Sequence, residues 1–192
     1  MQNNRDHECI RDVLRGDTES FAYLVERYGN HAYNLCYKTL KNAEDARECT
    51  QDAFVKAFEG LEKFRLDSQF STWFYRIVYN VCMSRIRSRL RFADRVPEAA
   101  GHRESSGEND GIGMLDQSDR KMMLEKAYLA LSSGEIFLVE QYYREECSIE
   151  ELAAMTGLSE ANVKVRLFRA RRKMQDEIRK YLKQEKTEWQ LK

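Results

Sequence analysis

Asn162, Lys164, Arg166, Arg169, Arg172 and Lys173 gather hydrogen-bond donors and positive charge into one short stretch, and no acid interrupts residues 161–173. The chemistry such side chains offer is recognition. Arginine makes bidentate hydrogen bonds to guanine edges, and lysine and arginine meet phosphates. The stretch that carries them, "SIEELAAMTGLSEANVKVRLFRARRKM", starts with Ser148 and Glu151 at the spacing of a capping box. Ala153, Gly157 and Val163 follow at the intervals of a helix-turn-helix: a small residue at the crossing, a glycine in a left-handed turn, an apolar residue returning to the core. Ser159 is placed to cap the second helix. At ~100° per residue, Val163, Leu167, Ala170, Met174, Ile178 and Tyr181 form that helix's buried stripe. Asn162, Arg166, Arg169 and Lys173 share another stripe with Arg172 beside it, while Lys164 and Arg171 flank the core on its other side. A merely solvated helix would alternate charge, so the pattern favours duplex DNA.

The chain has 32 basic and 32 acidic side chains and a formal net charge of zero. The balancing acid is sorted. Glu44, Glu48, Asp52, Glu59 and Glu62 fall on one helical stripe that includes Gln51 and Val55. Ala46, Cys49, Ala53, Ala57 and Leu61 face the opposite way, with Phe54 and Phe58 beside them, and Lys56 and Lys63 lie outside the acid. DNA repels such a ridge, so it should face a basic protein surface.

A third surface follows. "FSTWFYRIVYN" crowds Phe70, Trp73, Phe74, Tyr75 and Tyr79 together, and "SRIRSRLRFADR" sets five arginines against one aspartate. Rings for unstacked bases beside charge for the backbone suit single-stranded nucleic acid. Trp73, Phe74 and Ile77 are expected in the core, leaving Tyr75, Arg76, Tyr79 and Asn80 as contact candidates.

The elements that position these groups are helices throughout. Apolar residues recur at three- and four-residue steps from about residue 6 to residue 92, as in Phe21, Leu24, Val25, Tyr28, Ala32, Leu35 and Cys36. Asn42 opens a helix running to about Leu61, and "KFRLDSQ" leads to the aromatic-basic segment. Residues 96–117 hold the only proline and four of the nine glycines, which marks a flexible linker. The expected organisation is all-α: a first helical domain over 1–95, the linker over 96–117, a second domain over 118–186, and a frayed tail over 187–192.

Other classes are excluded on composition. No apolar run approaches the ~20 residues of a membrane span, and the polar start "MQNNRDHECIRD" is no signal peptide. Five scattered cysteines with no C-x-x-C pair argue against a disulfide framework or zinc cage and fit a reducing cytoplasm. The pairs His7 with Cys9 and His31 with Cys36 are read as incidental, so no metal site and no cofactor is expected.

Three surfaces in this order resemble the extracytoplasmic-function sigma factors, the small two-domain group of the sigma-seventy family, over most of the chain. "NAEDARECTQDAFVKAFEGLEKF" resembles the family's polymerase-binding helix, "FSTWFYRIVYNVCMSRIR" its segment that melts and reads the minus-ten element, and "SIEELAAMTGLSEANVKVRLFRARRKM" its helix-turn-helix for the minus-thirty-five element. The resemblance implies a region 2 bundle followed by a region 4 helix-turn-helix. It implies that Asp45, Glu48, Gln51 and Asp52, with Val55 in their stripe, contact the coiled-coil clamp of the polymerase β′ subunit. Leu66, Asp67, Ser68, Gln69, Phe70 and Ser71, with Asn80, would hold a flipped base of the melted non-template strand. Tyr75 and Tyr79 would join them, with Arg76, Arg85, Arg87 and the neighbouring arginines on the backbone. Ser159, Asn162, Lys164, Arg166, Arg169, Arg172 and Lys173 would meet the minus-thirty-five duplex. Core RNA polymerase (β′ clamp and β flap), promoter DNA and an anti-sigma protein are the implied partners. A self-regulating C-terminal domain is not expected.

Two departures stand out. "ALSSGEIF" replaces the usual Leu-Pro pair, so entry to the next helix is set differently, and Arg47 and Cys49 in "ARECTQD" alter the docking helix. The rival reading is a stand-alone helix-turn-helix regulator whose first domain senses a ligand or dimerises. It leaves the acidic stripe and aromatic-basic helix without a task. An enzyme is disfavoured, since no phosphate loop, nucleophile–base pair or metal cluster is legible.

Overall fold

A computed structural model describes residues 2–65, 68–93 and 115–189, and every regular element among them is helical. The first group comprises α1 (Gln2–Leu14), α2 (Phe21–Leu40), α3 (Ala43–Gly60) and α4 (Phe70–Ala93), with single 3₁₀ turns at Thr18–Ser20 and Leu61–Lys63. The second comprises α5 (Leu115–Leu129), α6 (Ser133–Tyr143), α7 (Ile149–Thr156) and α8 (Glu160–Trp189). The described part of the chain is thus all-α, as its periodicity requires.

Local chemistry sets the helix ends. α2 stops where Lys41 turns left-handed (φ 52°), and Asn42 then accepts the Asp45 N–H at 2.8 Å to start α3. The apolar stripe of α2 buries Leu24, Tyr28, Ala32, Leu35 and Cys36. Against it packs a ring cluster from α3 and α4: Phe54 lies 4.6 Å from Phe74, which stacks on Phe70 at 5.7 Å. Asp6 on α1 is 2% exposed and would be costly there unpaired. Tyr28 Oη and Arg27 Nη1 both donate to it, at 2.6 and 2.7 Å.

In the second group Ser132 and Glu135 form a capping box that starts α6 where the family's Leu-Pro pair would stand. Ser148 and Glu151 form another for α7, and Gly157 (φ 72°) makes the left-handed turn toward α8. Val163, Leu167 and Ala170 are buried as expected. Tyr181, further along α8, is covered by α5, with Lys126 Nζ 4.5 Å over its ring and its hydroxyl donating to Met122 Sδ at 3.9 Å.

Two boundaries differ from expectation. α5 begins at Leu115, inside the expected linker, because no glycine follows Gly113 until Gly134. α8 continues into the expected tail as far as Trp189, across residues that include no helix breaker. Residues 94–114 and 190–192 lie outside the described residues. No described helix is long and apolar enough to cross a membrane.

The two groups touch. α6 lies against α2, and α7 against α4. Lys38 of α2 donates to both oxygens of Glu140 on α6 at 2.8 Å, Tyr128 donates to the same carboxylate at 2.5 Å, and Tyr79 of α4 meets Phe137 edge-on at 4.9 Å.

Candidate docking and nucleic-acid surfaces

α3 presents its acid outward. Glu44, Glu48, Gln51, Asp52, Val55 and Glu59 are all exposed, while Ala46, Cys49, Ala53, Phe54 and Ala57 are buried. Asp45, which the resemblance set among the clamp contacts, is instead 9% exposed and faces α4. There Arg85 Nη1 pairs with it at 3.2 Å and Arg89 pairs with its other oxygen. Arg85 Nη2 reaches on to Glu48 at 2.6 Å. Arg85, expected on the DNA backbone, is therefore committed to the acidic helix, and of the residues expected to dock Gln51, Asp52 and Val55 stand exposed beside the paired Glu48.

α4 divides by face. Arg76, Asn80, Ser84, Arg87 and Arg91 are exposed at three- and four-residue steps, a continuous polar and basic stripe. Between it and α3 runs a cleft of about 510 Å³ lined by Asp52, Lys56, Asn80, Val81, Ser84 and Arg85, among others. Lys56, Ser84 and Ser88 belong to this cleft and carry no signal in the sequence, because helix crossing brings them together. The loop before α4 is tied back to α1 by His7 Nε2 at 3.1 Å from the Ser68 carbonyl, and Gln69 and Ser71 share a hydrogen bond at 3.4 Å. Leu66 and Asp67 lie outside the described residues.

Two expected base-stacking rings are packed away. Phe70 is fully buried among Tyr28, Phe64, Trp73 and Phe74. Tyr75 is 4% exposed, edge-on to His31 at 5.1 Å. α2 takes both rings, the first beside Tyr28 and the second between Tyr28 and His31. Tyr79 is half-buried under Phe137 of the second domain.

At that junction His31 Nδ1 lies 3.0 Å from Glu145 and its Nε2 lies 3.0 Å from the Gln141 amide. Burial lowers its basicity despite Glu145, so the ring is neutral: it donates to Glu145 and accepts from Gln141. Burial alone would raise the Glu140 carboxyl, but hydrogen bonds from Lys38 and Tyr128 outweigh it and hold it below the ordinary value.

On α8, Asn162, Lys164, Arg166, Arg169 and Arg172 are exposed, and Ser159 Oγ accepts the Asn162 N–H at 3.3 Å. Lys164 reaches Glu160 at 3.7 Å, one turn back. Lys173 differs from the others. It donates to both oxygens of Glu135 at 2.8 Å and so ties α8 to the start of α6. Burial pushes Glu135 up, but Lys173 and Ser132 together hold it below its ordinary value. Nothing in the spacing of residues 135 and 173 announces this pair.

Known proteins carry the same two modules. The family description Sigma-70 region 2 matches residues 24–92, and Sigma-70, region 4 matches residues 137–174. The chain is similar to the ECF RNA polymerase sigma factor SigW of Bacillus subtilis strain 168, at 29% identity over 184 residues, covering 88% of this chain and 95% of that protein. It is also similar to ECF RNA polymerase sigma factor SigM of the Mycobacterium tuberculosis Erdman strain, 30% identical over 170 residues, covering 87% and 81%. In fold it matches CnrH, solved in complex with the cytosolic domain of CnrY, with TM-score 0.61, 24% identity and coverage of 90% and 96%. It matches the sigma factor RpoE, solved with the anti-sigma factor NepR from Bartonella quintana, with TM-score 0.62, 22% identity and coverage of 84% and 98%. A helical bundle with an outward acidic ridge, a helix-turn-helix after it and these relatives agree: the chain belongs to the extracytoplasmic-function group of the sigma-70 family, the RNA polymerase sigma factors.

Proposed function

We propose that the chain is a dissociable, non-catalytic initiation subunit that works in the cytoplasm. Glu48, Gln51, Asp52 and Val55 on α3 dock on the basic coiled-coil clamp of core polymerase. Arg76, Asn80 and Arg87 on α4, with the loop at Ser68–Ser71, handle the melted non-template strand. Asn162, Lys164, Arg166, Arg169 and Arg172 on α8 meet the minus-thirty-five duplex, and the β flap holds the second domain. One observation supports this most: the acidic ridge and the basic stripe are both exposed, yet lie on separate helices, each open to an oppositely charged partner. A stand-alone regulator would need only the second.

Because Tyr79 is covered by Phe137 of the second domain, the described form is closed, and polymerase binding selects an open one. The anti-sigma factor in the RpoE complex supports a similar partner here, one that holds the closed form. A pull-down with core polymerase followed by run-off transcription on a genomic library tests the reading. Capture of core and promoter-specific transcripts are expected. Failure to bind core, with tight sequence-specific DNA binding by the chain alone, would sink it.

A further inference from the structure

Cys36, Cys49 and Cys82 lie far apart in the chain and come from α2, α3 and α4, yet all three are fully buried. Cys82 Sγ donates to Cys36 Sγ at 3.5 Å, and the Cys49 thiol is near enough to influence the ionisation of Cys82. Arg85, one turn further along α4, grips Asp45 and Glu48 on either side of the Cys49 turn, favours the Cys49 anion, and lines the cleft of about 510 Å³ between α3 and α4. Most buried thiols are inert because nothing stabilises the thiolate and no oxidant reaches it. This cluster has a cation near one sulfur and a second thiol against another, and Arg85, next to it, lines an open cleft.

We propose that Cys36, Cys49 and Cys82 form a peroxide-oxidisable thiol site that closes a disulfide on Cys82, beneath the acidic helix. Cys49 is the nucleophile: the Cys82 S–H and Arg85 stabilise its anion and bring its pKa down to about 7. The Cys49 thiolate attacks one oxygen of hydrogen peroxide, forming an S–O bond as the O–O bond breaks, and the departing hydroxide takes up a proton as water. The Cys82 sulfur then attacks the Cys49 sulfenic acid. An S–S bond forms, the S–O bond breaks, and the Cys82 proton leaves with the hydroxide as a second water. Two thiols and one peroxide thus give one disulfide and two waters. Cys36, in contact with Cys82, can exchange into the bond and release Cys49.

A disulfide needs its sulfurs about 2.05 Å apart, so helices now separated by van der Waals contact must draw together. Oxidation also removes the sulfur anion that Arg85 holds, and Arg85 is the residue that grips Asp45 and Glu48. The consequence for docking rests on the polymerase-binding role proposed above.

The test uses the full chain, fully reduced, then treated with excess hydrogen peroxide. Remaining thiols are alkylated in denaturant, and the protein is digested without reductant. Peptides joined through Cys82 to Cys49 or Cys36, separable by dithiothreitol, are the expected result. The reaction rate should rise with pH around a midpoint of about 7, the value for Cys49. Cys9 and Cys147 are built-in controls, since burial raises both, Cys147 to about 12, and they should be recovered alkylated. Recovery of Cys49 and Cys82 as alkylated thiols overturns the proposal, as does oxidation spread equally over all five cysteines. A Cys82→Ala chain should form no intramolecular disulfide. If it does not fold, the mapping of the unaltered chain still decides.

Oxidised and reduced chains are then compared for core polymerase binding, where about tenfold weaker binding is expected for the oxidised form, the scale of one lost charge-assisted hydrogen bond. Equal binding would overturn the link to docking. Absence of binding by both, with the disulfide present, would count against the docking role alone.

Discussion

Arg166 and Lys173 share a stripe on α8 but have different occupations. Arg166 stands exposed at the front of the helix, whereas Lys173 spends its charge on Glu135. Arg166→Ala should leave core binding and folding unchanged and weaken use of the minus-thirty-five element by about 1–3 kcal/mol, the value of a bidentate base contact. Electrophoretic mobility shifts with the promoter duplex measure it. Lys173→Met should do the reverse. It should lower stability by about 1 kcal/mol, since the pair is partly solvated, and scarcely alter DNA affinity, as thermal denaturation beside the same binding assay will show. On α3, Asp52→Arg places a cation in the middle of the exposed acid and should abolish capture of core polymerase. Asp45→Asn, at the buried pairing with Arg85 and Arg89, should instead reduce stability first. Equal loss of both activities in the Asp52 and Arg166 variants would contradict a division of labour between surfaces.

At the scale of elements, the helix-turn-helix depends on its punctuation. Gly157 has φ 72°, and a methyl group added there would meet no atom within 4 Å. Gly157→Ala therefore costs backbone strain alone, about 1 kcal/mol. Ser148→Ala, which removes the cap of α7, should cost about the same, and urea unfolding would resolve either. These features are legible in the sequence because each lies within a few residues of its partner: Asn42 with Asp45, Ser148 with Glu151, Gly157 in its turn. The outward acid of α3 and the core stripe of α8 are legible for a similar reason, since helical periodicity is local. What periodicity hides is whatever depends on the neighbour. Asp45 sits beside the acidic stripe in sequence but points at α4. Tyr75 lies on a face that α4 alone would leave open, and Tyr28 and His31 of α2 close it. The three cysteines look scattered because helix packing, not spacing, assembles them.

Groups that titrate join the two described groups of helices. His31 is faced by Glu145 and Arg144, by Glu140 and Gln141 of α6, by Lys38 of its own helix and by Tyr75 of α4. Its pKa in the closed form lies below the ordinary 6.5, so the separated domains bind the proton more readily. The contribution to closure is complete above about 6.5 and is lost as pH falls from there through the lower, closed-form value. Glu140 acts in the same direction at more acid pH: its carboxyl is held below the ordinary 4.5, so its contribution fades as pH drops through that depressed value. Distance between labels on the two domains, measured by energy transfer from pH 7.5 to 5.5, should therefore increase toward acid, about that window. His31→Gln should flatten the response. A separation that does not change with pH, or a slope that survives in the variant, would place the control elsewhere.

The 30-residue α8 is a rod about 45 Å long. Its near end carries the exposed residues proposed above to meet DNA, and α5 holds it at Tyr181, through Lys126 and Met122. Lys173 holds the same helix a second time, at Glu135 on α6. The rod is thus braced at two points along its length, and its exposed first turns project from that brace as a fixed cantilever rather than a free end.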